Sequence, residues 1–154
     1  WIHATSMRSE PTMYAGRDAV NPQAGSLCAK DVFKKAGIKN PLKEIDCAEI
    51  YVPFSWYEPM WLENLHLANI GEGWKMTEKG ETSLEGKFPV NMSGGVLSSN
   101  PIGASGLLRF GEAAQQVRNK AGEFQVEDAK LALGHAFGGG AQFFAMWIVG
   151  TYKP

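Results

Sequence analysis

Asn100, His135 and Tyr51 are the residues of this chain whose type and setting could do chemistry. Asn100 lies in the stretch FPVNMSGGVLSSNPIGASGLL, residues 88–108. There a strand-like run from Phe88 ends in Gly94 and Gly95, which bend the backbone where a side chain would clash. Asn100 is a good helix N-cap, Pro101 suits a first helical position, and Gly103, Ala104 and Gly106 let backbone approach backbone or ligand. Two readings stand side by side. One is a capped core helix with small residues for close packing. The other is a turn lining a site, where helix-start N–H groups and an Asn amide suit a developing negative charge on a thioester or carbonyl oxygen.

His135 precedes a second glycine loop, GHAFGGGA, residues 134–141. A strand end followed by such a loop is where α/β folds place their sites, which makes His135 the leading general acid or base candidate. A buried imidazole bonded to backbone fits the same spacing. His3 and His66 have no comparable setting, and three scattered histidines without Cys or Asp spacing make a poor metal site, so no metal is expected. No Ser-His-Asp order, phosphate loop or dinucleotide fingerprint is present.

The elements that must position these residues follow from periodicity. Residues 1–6 alternate as a strand, and 8–23 read as a long polar loop that could cover a site. Residues 27–36 have helical spacing, with Gly37 as the stop. Residues 45–52, IDCAEIYV, read as a strand whose Asp46 and Glu49 demand one polar end. Pro53 ends it, and 54–70 have the pattern of a helix with Met60, Trp61, Leu65 and Ala68 inward. Trp56, Tyr57 and Trp61 fit either a core or an aromatic pocket. Residues 71–87 read as an exposed loop or short hairpin. The helix after Asn100 is expected to run to about Lys120, with Leu107, Phe110, Ala114 and Val117 on its inner face. Residues 130–133 and 142–152 complete the pattern as strands, the last apolar on both faces. Strands alternate with helices, which defines an α/β fold.

With 154 residues, 44% of them hydrophobic, the chain is expected to form one globular domain. The net charge of −1 and scattered Lys and Arg point to neither nucleic acid nor an anionic membrane. A small molecule or another protein is the expected partner. Cys28 and Cys47 share no metal-ligand spacing and read as buried, reduced thiols of a cytoplasmic protein. No signal peptide is visible, and the apolar run 143–149 is too short to span a bilayer. Trp1 is not an initiator Met, so a fragment, a processed chain or an excised domain is expected.

The run VNMSGGVLSSNPIGASGLLRFGEAAQQVRNKAG resembles the C-terminal half of thiolases, with their Gly-Gly, Gly-His-Pro and Gly-Ala-Ser/Thr-Gly helix start. In order along the chain, IDCAEIYVPFSWYE resembles the loop carrying Asn-Glu-Ala-Phe or His-Asp-Cys-Phe, and LGHAFGGGAQFF the closing glycine loop. The likeness is greatest to the lipid-transfer (sterol-carrier) and archaeal acetyl-CoA acetyltransferase branches. It implies that 1–154 form one half of a five-layered αβαβα fold, with a mixed five-stranded sheet covered by helices. It implies CoA as a substrate, no covalently bound cofactor, and a nucleophilic Cys in an N-terminal half outside this sequence. Partners implied are that N-terminal half, a second copy in a homodimer, and a small protein with an OB fold and a zinc ribbon.

The departures from the family pattern fall at its chemistry. Asn100 stands where the family has its activating His; its amide donates a hydrogen bond but carries no proton. Tyr51 and Pro53 stand where Asn or His and then Ala or Cys are usual. Ala136 replaces the Cys of the closing loop, while His135 matches a His of the sterol-carrier branch. The expectation is that Asn100 stabilises an oxyanion, His135 moves the proton and Tyr51 assists, with Ser105, Gly138 and Gly139 lining the oxyanion and substrate site. Thiolase-type acyl transfer is the first reading, although the fragment alone is expected to be inactive. A retro-aldol lyase acting on a CoA thioester and a non-catalytic scaffold are the alternatives.

Overall fold

The computed structural model describes residues 1–154. Four strands, β1 (Ile2–Ser9), β2 (Cys47–Ile50), β3 (Leu131–Gly138) and β4 (Phe143–Gly150), form one sheet in the order β1-β4-β3-β2. Six helices surround it: α1 (Gln23–Lys35), α2 (Pro41–Glu44), α3 (Tyr57–Asn64), α4 (Gly73–Glu78), α5 (Gly95–Ser98) and α6 (Ser105–Val117). The sheet is mixed, since β2 pairs parallel to β3 while β4 pairs antiparallel to both neighbours.

The expected fifth strand is reduced to one bridge, Ala48 to Val90, on the free edge of β2. Pro89 has no N–H to give to a ladder, and Asn91 adopts a left-handed φ of 54° that turns the chain away. Asn91 Oδ1 instead accepts the N–H of Ile50, closing that edge with a side chain.

Several boundaries differ from the periodicity. The expected 54–70 helix is confined to α3. At its end, left-handed His66 (φ 60°) lets Leu67 and Ala68 bond back to Leu62 O. Within the expected loop of 71–87, residues 73–78 form the short helix α4, and the rest is turns and bends. The helix after Asn100 starts later, because residues 101–104 form a turn with Ala104 N–H on Pro101 O. Asn100 is therefore not its N-cap.

Helix α6 also buries a different stripe. Ser105, Arg109, Ala113, Gln116 and Val117 face the sheet, while Leu107 is 73% exposed. Arg109 and Gln116 can face inward because each has partners there. Gln116 holds the 124–126 turn by bonds to Phe124 O and from Val126 N. The larger core lies on the opposite side of the sheet, where α1 and α3 pack with Cys28, Val32, Trp61, Leu62 and Leu65. Gly134 lies flat beneath Trp147, and a Cβ there would come within 1.7 Å of Nε1. This absence of a side chain lets the indole sit between sheet and α6.

Candidate functional site

The parallel strands β2 and β3 end side by side, and the start of α6 is brought up to them. A Cβ added at Gly106 would lie 3.0 Å from that of Ala136 near the end of β3. At this place three expected site residues meet. Ser105 Oγ donates to Asn100 Oδ1 at 2.6 Å, and Tyr51 O–H points to the same oxygen at 3.4 Å, a long hydrogen bond. Ser105 is buried, Tyr51 half-buried and Asn100 exposed. With Oδ1 occupied from two sides, the amide orientation is set. Its Nδ2 hydrogens make no hydrogen bond within the chain and are left to donate.

Gly138 and Gly139 sit at the end of β3. Gly139, Gly140 and Ala141 share positive φ values of 59°, 63° and 61°, and Gln142 N–H closes the turn on Gly138 O at 2.9 Å. Glycine is favoured at such angles, though Ala141 adopts one as well. The long loop before α1 is tied to this turn: Arg17 donates to Gly140 O, and Glu10 N–H to Gln142 O.

His135 does not join the Asn100 cluster. Its strand neighbours Gly134 and Ala136 face Trp147 and α6, so the imidazole lies on the other side of the sheet, packed against Trp61 and Phe144. It is fully buried, and neither ring nitrogen has a partner. Burial pushes its pKa down to about 3, which keeps the ring neutral. Neither a proton relay to Asn100 nor the backbone hydrogen bond allowed by the sequence is found.

Sequence reasoning missed a charged clasp under the site. Glu49 does not mark a polar strand end; its carboxylate is completely buried and ion-paired with Arg109 Nη1. Ser93 O–H donates to Glu49 Oε2 at 2.9 Å, and Arg109 Nη1 donates to Ser93 Oγ at 3.0 Å. Burial raises the Glu49 pKa while the Arg109 guanidinium opposes the rise. The clasp ties β2, the Ser93–Gly95 bend and α6 together, fixing the segment that leads to Asn100. Its signal was present: a lone carboxylate inside an apolar strand and an Arg between apolar helix residues both call for buried partners.

The sequence matches the family described as thiolase C-terminal domain-like over residues 6–151, and the chain belongs to that family. It is similar to sterol carrier protein 2 of Bos taurus, at 36% identity over 91% of this chain and 26% of that protein. It is equally identical, 36%, to an acetyl-CoA acetyltransferase of Methanothermobacter thermautotrophicus, over 80% of this chain and 32% of the other. The chain thus spans about a quarter to a third of these relatives. The solved Ltp2-ChsH2(DUF35) aldolase superposes with a TM-score of 0.82 at 21% identity, over 99% of this chain and 40% of that one, a likeness of fold.

Proposed function

We propose that the chain is the C-terminal half of a thiolase-type enzyme that makes or breaks a carbon–carbon bond beside a CoA thioester. The observation that carries this is the fixed amide of Asn100, its oxygen held by Ser105 and Tyr51 and its Nδ2 hydrogens left to donate. When the bond between the α and β carbons opens, negative charge collects on the thioester oxygen as an enolate. Asn100 Nδ2–H and the first-turn N–H groups of α6 are the donors that meet it. In acyl transfer, a Cys of the N-terminal half attacks the β-carbonyl of a β-ketoacyl-CoA. The acetyl-CoA enolate leaves and takes a proton, and CoA thiol then removes the acyl group from sulfur. Tyr51 carries the transferable proton next to Asn100.

A second reading, retro-aldol cleavage of a β-hydroxyacyl-CoA to a carbonyl compound and a shorter acyl-CoA, is favoured by one observation. The imidazole that thiol activation would use, His135, is sealed on the far side of the sheet. The full-length protein distinguishes the two, since thiolysis of acetoacetyl-CoA consumes free CoA and retro-aldol cleavage does not. Product formation from neither substrate class would reject both and leave a non-catalytic scaffold.

The N-terminal half is the first partner of this reading. Its support is the side of the sheet that α6 leaves partly bare, where Met7, Ala136, Phe143 and Ala145 line an apolar groove of about 330 Å³. Family membership supports a homodimer and a small OB-fold and zinc-ribbon protein as further partners. No helix is long and apolar enough to cross a membrane.

A further inference from the structure

The buried pair of Glu49 and Arg109 is not explained by stability alone. Two charges withdrawn from water gain little over well-packed hydrophobes of the same volume, so such a pair contributes direction more than strength. What it directs follows from where its members sit. Glu49 is on β2, Arg109 on α6, and Ser93 in the bend before α5. Ser93 N–H donates to Glu49 Oε1 at 3.2 Å, and Gly95 N–H donates to Ser93 Oγ at 3.2 Å. The bend is therefore bonded to the pair through both its backbone and its hydroxyl.

Each of these three segments also delivers one group of the Asn100 cluster. Tyr51 lies two residues beyond Glu49, Ser105 one helical turn before Arg109, and Asn100 just after α5. Ser105 and Arg109 are both buried on the inner face of α6. Two residues of extended chain advance about 6.6 Å and four residues of helix about 6 Å, so the two steps match. Tying Glu49 to Arg109 thus holds Tyr51 and Ser105 level with each other, where both meet Asn100 Oδ1. Apolar side chains would bury the same area without fixing how far one element slides along another.

We propose that Glu49, Arg109 and Ser93 are positioning residues of the reaction, setting the register of β2, α6 and the bend so that Ser105 and Tyr51 hold the Asn100 amide. The inference rests on the reading of Asn100 as donor to the thioester oxygen and names what keeps that donor in place.

The test is a kinetic cycle on the full-length protein, run with acetoacetyl-CoA plus free CoA and with β-hydroxybutyryl-CoA. Glu49→Leu with Arg109→Met removes both charges, and this paired variant is expected to unfold at nearly the denaturant concentration of the unsubstituted protein. Its kcat should nevertheless fall by about 10- to 100-fold with KM within about twofold, the effect of a donor displaced by about an ångström. In an Asn100→Ala background the same pair should lower kcat by less than about threefold, because no amide is left to misplace. If the paired variant unfolds early, Arg109→Lys decides, since it keeps the charge but not the fork, and the same pattern is expected. A retained kcat, or an equal loss with and without Asn100, overturns the proposal. Both results leave the thioester reading intact as long as Asn100→Ala alone slows turnover. An Asn100→Ala variant as fast as the unsubstituted protein removes the Asn100 reading and the proposal together, as does a lack of turnover with either substrate.

Discussion

Asn100 can donate hydrogen bonds but cannot carry a proton, so replacing it isolates charge stabilisation from proton transfer. Asn100→Ala in the full-length protein is expected to lower kcat by about 10²–10³ with little change in KM, the usual cost of one oxyanion donor. An unchanged kcat would take Asn100 out of the mechanism. His135 calls for a different measurement. A buried neutral imidazole stabilises the fold fully above its unfolded pKa of 6.5, and that contribution is lost as pH falls toward the folded value of about 3. Within that window the slope is about 1.4 kcal/mol per pH unit. His135→Phe is therefore expected to flatten the fall in unfolding free energy between pH 6.5 and 5 while turnover at pH 7.5 is retained. A loss of turnover of a hundredfold or more, with the acid sensitivity unchanged, would restore His135 as the proton carrier.

At the scale of elements, the sequence disclosed strands at 130–133 and 142–152, close to the start of β3 and to β4, but it read residues 134–141 as a loop, whereas β3 runs on through His135 to Gly138 because glycines there serve close packing as well as turning. It disclosed α1 and the neighbourhood of α6 through helical spacing. The inner face of α6 was legible only in part: Val117 and Phe110 do pack on the core, but Leu107 faces outward and Arg109 and Gln116 take the inner side with partners 60 and about ten residues away in sequence. Periodicity registers polarity but not pairing, so a buried ion pair reads as a solvent face. Equally, Pro89 and the turn at Asn91 cut the fifth strand to one bridge, which a count of apolar residues misses. The clasp predicts an asymmetry: Glu49→Ala, which strands a buried guanidinium, should destabilise by about 3–5 kcal/mol. Replacing both members with hydrophobes, Glu49→Leu with Arg109→Met, should recover most of that loss in chemical denaturation. If the double variant is as unstable as the single one, the ion pair is not the source of the cost. In the same layer, Gly134→Ala should cost about 1–3 kcal/mol, since the new methyl must displace Trp147.

For the molecule as a whole, the informative feature is an imbalance. One side of the sheet is sealed by α1 and α3, while on the other Leu107 and Met7 are 73% and 79% exposed. Apolar groups spread along the outer stripe of α6 and across β1 are too many for a surface that meets only water, and the N-terminal half we propose as partner would account for them. The consequence is a change of sign with context. In the 154-residue chain alone, Leu107→Glu with Met7→Glu should raise solubility and reduce binding of the dye ANS, because charge replaces exposed hydrocarbon. In the full-length protein the same pair should lower the unfolding free energy by about 2 kcal/mol or more, because the carboxylates would then be buried without partners. Improved solubility in the short chain with no loss in the long one would mean that this face stays open, and that the halves meet elsewhere.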